Sequence, residues 1–471
     1  MLPIFDPFRF SSVSLDVLAC GHATAQALAT RQKWRLDTLL DTALRESRFY
    51  SEHLHAATPG RTPLASLPPV SRRELMDRFD DWVTDPNLKL SELRAFTADP
   101  ACIGQPYLGK YLVWESSGTS HQPGIFVQDA QAMAVYDALE SLRRSAPRPL
   151  QRWLDPMSLT ERIAFVGATG GHFASIVSMQ RLRGLNPWLA PSMRSFSILQ
   201  PTRILVDELN VFAPTVIATY PTVAALLADE AARGALHFAP KEVWTGGETL
   251  SAAVRKRLEH TLGCAVRNSY GASEFMSIAW ECGHGRLHVN ADWVILEPVD
   301  EHGRPMPVGE ISCSTLLTNL ANHVQPLIRY DLGDQVLLRH ETCGCGSILP
   351  LIEVQGRRDD ALIMAGLYGQ PVTLLPLALT TVLEDQAGVF DFHLRQRDDH
   401  TLVLRLELQG ADGQAVMARC RAVLKKFAVI QELKPIKVLG ELGQAIPRGR
   451  SGKAQRIVAC HGVPCRDTGS Q

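Results

Sequence analysis

From residue 111 to about 290, short apolar runs alternate with longer stretches of helical spacing. Ile163 to Val166 is one such run. Pro214 to Thr219 is another, and Thr222 to Ala232 follows it as a helix. Glu242 to Trp244 is a third, followed by a helix over Ser251 to Leu262. This alternation predicts an α/β layer with a largely parallel sheet. Before it, the first hundred residues read as amphipathic helices. Leu36, Leu39, Leu40 and Leu44 share one helical face, and Ser71 followed by Glu74 predicts a capped helix start. From 290 to 355 the pattern changes to strands and turns, which predicts a β-rich subdomain. After Gly356 comes a small α+β region. It has a helix near Leu375 to Leu383, a hairpin around Asp398-Asp399, a helix over Gly413 to Phe427 and a strand over Ile436 to Leu439.

A chain of 471 residues is too long for one compact core. Lys and Arg number 48 against 49 Asp and Glu, so there is no basic field for nucleic acid or an anionic membrane. No apolar run of about 18 residues predicts a membrane span. The start of the chain lacks the charged and apolar regions of a secretory signal. Ten cysteines in so long a chain are no disulfide framework. Together these predict a cytoplasmic protein with reduced thiols.

The chemistry is concentrated in five polar clusters beside apolar runs. Ser116-Ser117-Gly118-Thr119-Ser120 stands between Tyr111–Trp114 and Ile125–Val127. Hydroxyls and exposed N–H groups around a glycine suit a polyphosphate, although no Walker lysine follows. Gly246-Gly247-Glu248, Asn268 to Glu274, Arg329 to Asp334 and Gly356 to Asp360 are the others. In open α/β sheets, ligands bind where such loops gather at the carboxyl ends of strands. Each cluster alone reads as an ordinary turn. In this order, with a late Gly452-Lys453, they form a set.

That set resembles the adenylate-forming superfamily, within it the phenylacetate-CoA ligase branch. Ser116 to Pro123 is similar to its phosphate loop, Gly246–Glu248 to its Gly-Gly-Glu, and Tyr270–Glu274 to its Tyr-Gly-x-Ser/Thr-Glu. Asp331–Asp334 is similar to its Gly-Asp segment, Gly356–Asp359 to its hinge, and Pro447 to Lys453 to its final lysine segment. Ser47–Tyr50 and Leu67–Ser71 match elements near its start. Two departures stand out: His121 where the family has glycine, and Gln122 and Gly124 flanking Pro123 where a lysine is usual.

The resemblance implies a large N-terminal adenylation domain over 1–356 and a small mobile C-terminal domain over 357–471. It implies ATP-dependent activation of an aryl or other hydrophobic carboxylic acid as acyl-adenylate, then transfer to coenzyme A. Ser116, Ser117, Gly118, Thr119 and Ser120 would hold phosphates, and Glu274 would hold Mg²⁺. Gly246, Gly247, Glu248, Asn268 and Tyr270 would flank adenine. Asp334 and Arg357 would meet the ribose, Asp359 would be the hinge, and Lys453 would bridge carboxylate and nucleotide. Two other outcomes stay open. One is transfer to an amine or a carrier-protein thiol. The other is a nucleotide-binding protein without catalysis, to which His121 and the missing lysine point. Phe173, Tyr220 and His172 lie near expected pocket segments without identifying the acid.

Cys282, His288, Cys343 and Cys345 form a further set, a Cys₃His combination that suits tetrahedral Zn²⁺. Buried metal-free thiols are the alternative. His284 is a possible substitute for His288, and Cys460-His461 with Cys465 reads as a solvated tail.

Overall fold

The computed structural model describes residues 4–21, 23–116, 123–143, 160–198, 200, 202–339, 341–357, 362–374, 376–447 and 456–460. Its centre is a nine-stranded sheet. Five strands are parallel: β3 (Ile163–Gly167), β4 (Met193–Ser197), β5 (Val216–Thr219), β6 (Glu242–Thr245) and β7 (Ala265–Tyr270). Their order is β4, β3, β5, β6, β7, so the chain reverses direction of build between β3 and β5. The helices Ala174–Leu185, Thr202–Phe212, Pro221–Ala232 and Ala252–Leu262 make the crossovers. Apolar side chains of the last three, with Ala164, Val166, Ile217, Val243 and Val266 of the sheet, form one core.

Past β7 the sheet turns antiparallel through β8 (Ala279–Glu281), β9 (Leu287–Val289), β14 (Leu351–Arg357) and β13 (Asp334–Arg339). The expected separate β-rich subdomain is therefore split. Only β10 (Val294–Val299), β11 (Ser314–Asn319) and β12 (Tyr330–Asp331) form their own sheet. The open edge of β9 is covered by β14, as an unpaired edge requires. The β13–β14 ladder carries a bulge, and Gly356 beside it holds φ of +127°. A Cβ there would lie 3.2 Å from the ring of Pro376.

The N-terminal helices Pro7–Gly21 and Ala25–Glu46 pack on the largest core with β1 (Leu112–Glu115), β2 (Ile125–Gln128) and the Ala130–Arg143 helix. The helix Arg72–Asp77 starts with the expected capping box: Glu74 accepts the Ser71 N–H at 2.8 Å and Ser71 accepts the Glu74 N–H. Buried ion pairs tie the layers together. Arg143 bridges to Asp292 at 2.5 Å, and Arg181 to Asp137 at 2.8 Å.

Residues 362–457 build a separate core. It lies between the Gly410–Ile430 helix and a sheet ordered β19 (Lys437–Leu442), β18 (Thr401–Leu406), β17 (His393–Gln396), β20 (Ile457–Val458). The hairpin β15 (Leu362–Ala365)–β16 (Pro371–Leu374) and the helix Pro376–Thr381 complete it, and that helix passes into a π turn over Val382–Gln386. Among the described residues, no helix is long and apolar enough to cross a membrane.

Candidate active site and metal-binding cluster

The reversal between β3 and β5 is the kind of point at which α/β sheets form a ligand crevice at the carboxyl ends of the parallel strands. The β1–β2 pair is antiparallel, and its connection is the phosphate-loop segment. Ser116 closes the neck of that segment. Its N–H donates to Gly124 O at 2.8 Å, and its hydroxyl accepts the Gly124 N–H at 2.8 Å. One Ser116 acceptor position is thus already committed within the loop. The Glu115 N–H donates to His172 O at 2.6 Å, tying the neck to the segment after β3. Ser117, Gly118, Thr119, Ser120, His121 and Gln122 lie outside the described residues.

After β6, Gly246 passes so near β7 that a Cβ would stand 3.0 Å from Ser269 Oγ. Gly247 takes φ of +77°, open to glycine. The backbone just after β6 is therefore bare of side chains. The Glu248 side chain turns away. It accepts the Thr222 N–H at 3.1 Å and the Thr222 hydroxyl at 3.2 Å, capping the Pro221–Ala232 helix.

Asn268 to Tyr270 were expected in a loop. They are the last three residues of β7, because β6 pairs with Asn268 and β8 pairs with Ser269 and Tyr270. Asn268 Oδ1 accepts the Thr245 hydroxyl at 3.0 Å. The turn starts at Gly271, where a Cβ would fall 2.0 Å from Met276 O, so only glycine fits.

Three distant motifs converge at the end of β7. The Tyr270 hydroxyl donates to Asp334 Oδ2 at 2.6 Å. Asp334 pairs in register with Arg357 across β13–β14, and Arg357 Nε stands 3.7 Å from Asp334 Oδ1. Arg357 also donates to Leu332 O at 2.9 Å. Beside them, Glu274 Oε1 accepts the Tyr330 hydroxyl at 2.8 Å. Burial pushes the Glu274 carboxyl above its usual range. Burial, reinforced by the facing carboxylates, also holds both phenols well above theirs, so Tyr270 and Tyr330 remain donors. Trp114 Nε1 donates to Ser273 O at 2.8 Å and Asn319 Nδ2 to Glu274 O at 3.0 Å, fixing the turn that carries Glu274. Tyr330 lay inside a recognised cluster without a role. Asn319 gave no signal at all, since its importance lies in a contact across 45 residues. Lys453 and Asp359 lie outside the described residues.

The second constellation is compact. Cys282 follows β8, His288 lies in β9, and Cys343 and Cys345 stand on the β13–β14 connection. Their ligand atoms all lie within 4.8 Å of one another. Cys282 Sγ is 3.7 Å from Cys343 Sγ, and Cys345 Sγ is 3.3 Å from His288 Nε2. A zinc tetrahedron with Zn–S of about 2.3 Å has S···S edges of about 3.8 Å, so the set fits that ion. His288 Nδ1 lies 2.9 Å from Leu349 O, the geometry in which Nδ1–H donates and Nε2 keeps its lone pair for a metal. Trp280 stacks on the His288 ring at 5.2 Å. His284 packs near Gly344 and is not in the cluster.

No family model matches the chain. It is 32% identical over 185 residues to the phenylacetate-coenzyme A ligase of Thermus thermophilus, covering 36% of this chain and 41% of that protein. It is also 32% identical over 134 residues to the phenylacetate-coenzyme A ligase of Escherichia coli, covering 27% of this chain and 30% of that one. The chain thus spans less than half the length of these curated relatives. A crystal structure of 2-hydroxyisobutyryl-CoA ligase in the postadenylation state, in complex with 2-HIB-AMP, superposes with a TM-score of 0.66 at 20% identity. That match covers 91% of this chain and 89% of the other. Over part of its length the chain is thus similar in sequence to phenylacetate-coenzyme A ligases, and over most of it similar in fold to 2-hydroxyisobutyryl-CoA ligase.

Proposed function

We propose that this protein activates a carboxylic acid with ATP and passes the acyl group to coenzyme A. The observation that carries this reading is the convergence of Tyr270, Glu274, Tyr330, Asp334 and Arg357 at one end of the crevice. In the first step a carboxylate oxygen attacks the α-phosphorus and pyrophosphate leaves. In the second, the thiol sulfur attacks the acyl carbon, AMP leaves, and the thiol proton goes to solvent. Both partners of the first step are anions, so positioning and charge neutralisation carry the catalysis.

In this reading Ser117 to Ser120 receive the leaving phosphates, and Gly246 and Gly247 give adenine a backbone wall beside Asn268 and Tyr270. Asp334, pre-oriented by Tyr270 and Arg357, accepts the ribose hydroxyls. Glu274 offers the hard oxygen that Mg²⁺ prefers, and the ion supplies charge neutralisation when bound. Lys453 brings a compact cation to the attacking carboxylate. Residues 1–356 and 357–471 act as two domains that reorient about Asp359 between the steps. Cys282, His288, Cys343 and Cys345 hold structural Zn²⁺. Four protein ligands leave no open position for catalysis. An aryl or other hydrophobic acid is the substrate class this reading implies.

The test is ATP–pyrophosphate exchange over a panel of acids, followed by coenzyme A. Exchange with at least one acid in the absence of acceptor is expected, and coenzyme A should then raise AMP release and give a thioester. Exchange without thioester would move the acceptor to an amine or a carrier protein. No exchange with any aryl, aliphatic or amino acid would leave a nucleotide-binding protein.

A further inference from the structure

The two units meet over the helix Ala252–Leu262 through a small buried group. Ser251 is the N-cap of that helix, accepting the Val254 N–H at 3.1 Å. The same hydroxyl donates across the boundary to Glu384 Oε2. Glu384 belongs to the π turn Val382–Gln386 and is 2% exposed. Its other oxygen takes Arg456 Nη2 at 2.5 Å. Arg456 also donates to Phe390 O at 3.1 Å and lies 4.4 Å over the Phe392 ring. Phe390 in turn packs on the core of the sheet layer, with the Arg257 guanidinium 4.4 Å above its ring.

We infer that Ser251, Glu384 and Arg456 form a latch that holds the C-terminal unit in the orientation of this structure. In the reading above, on which this inference rests, that orientation serves adenylate formation. The partition of the group supports this. Glu384 and Arg456 both belong to the C-terminal unit, so the charge pair travels intact when the unit turns. Within this group, the Ser251 hydrogen bond and the contacts of Phe390 with Arg257 and the sheet-layer core cross the boundary. Release therefore strands no unpaired buried charge, the event that makes breaking a buried ion pair so unfavourable. A hydroxyl–carboxylate contact biases the orientation without locking it. π turns inside helices are frequent at functional sites, and this one turns Glu384 toward both partners. Arg456 stands three residues after Lys453 in the chain. Ser251, Glu384 and Arg456 are thus positioning residues.

The test separates a latch from a helix cap. Ser251→Asp keeps a good N-cap but sets a carboxylate against Glu384, whereas Ser251→Asn keeps the cap and restores a donor. Ser251→Asp should slow pyrophosphate exchange about tenfold or more, a change equivalent to losing one charge-assisted contact. Thioester formation from supplied acyl-adenylate should be unchanged or faster, and Tm should stay near wild type. Ser251→Asn should recover most of the exchange. Small-angle X-ray scattering of the ATP-free protein should show Ser251→Asp more extended than wild type. Equal loss in both half-reactions with a lower Tm would overturn the latch in favour of a purely structural cap. An unchanged exchange rate with an unchanged scattering profile would overturn it as well. If wild type shows no exchange with any acid, the enzymatic reading fails, and the scattering comparison alone still decides the latch.

Discussion

The β13–β14 hairpin has two ends of opposite character. At one end Asp334 faces Arg357, and Tyr270 reaches in from β7. At the other, Cys343 and Cys345 face Cys282 and His288. The first end is made of oxygen and guanidinium groups whose hydrogen bonds can be exchanged for those of a nucleotide. The second is made of soft ligands in a tetrahedral set, which serve best when nothing moves. One ladder of backbone hydrogen bonds joins them. Under the proposed function, the contrast is one between a working site and an anchoring one within a single hairpin.

The largest effect should come from outside the hairpin and set the scale for the nucleotide end. Lys453→Ala should slow adenylate formation roughly 10²-fold or more, the usual loss for a principal electrostatic contact. ATP binding should stay nearly intact, and thioester formation from supplied acyl-adenylate should fall far less. Near-wild-type single-turnover adenylation would remove Lys453 from the chemistry.

Asp334→Ala should come next, weakening ATP binding by about tenfold or more, since hydrogen bonds to a charged acceptor contribute about 1.5–3 kcal/mol each. The loss should appear in calorimetric affinity and in KM more than in kcat. Unchanged affinity would detach Asp334 from the ribose.

The anchoring end should respond in the opposite way. Purified protein should carry about one zinc per chain by elemental analysis. Cys343→Ser, or chelation, should lower Tm because metal binding is linked to folding. ATP affinity of the folded remainder should change less than in Asp334→Ala. Metal-free protein of full thermal stability would show four thiol and imidazole groups that merely pack together.

Tyr270→Phe should be the smallest effect. It removes one orienting hydrogen bond from Asp334 and leaves the carboxylate in place, so ATP affinity should fall only a few-fold. A loss as large as that of Asp334→Ala would mean that Tyr270 contacts the nucleotide itself.

Much of this was legible in the sequence, and the failures share a cause. The capping box at Ser71 and Glu74 and the β/α alternation are local signals, and the structure reproduces them. The Cys₃His set was legible because its ligand chemistry is distinctive, although its members come from three segments. What stayed hidden was lateral pairing. Nothing near Asn268 says that β6 pairs with it, or that β8 pairs with Ser269 and Tyr270 and draws the segment into a strand. Nothing in 334–357 says that these strands extend the large sheet instead of closing a subdomain. The second roles of Ser116 and Glu248, closing a loop neck and capping a helix, also depend on neighbours 8 and 26 residues away.

Gly356 sits where β14 runs out against the first helix of the C-terminal unit, and a Cβ there would stand 3.2 Å from the Pro376 ring, tighter than ordinary contact. A side chain there would act as a wedge, prising the end of the sheet from Pro376, while the left-handed backbone would strain any residue that carried it. The junction is therefore close-fitting on its inner side, and the missing carbon atom is what lets the strand end and the helix approach each other without a shift.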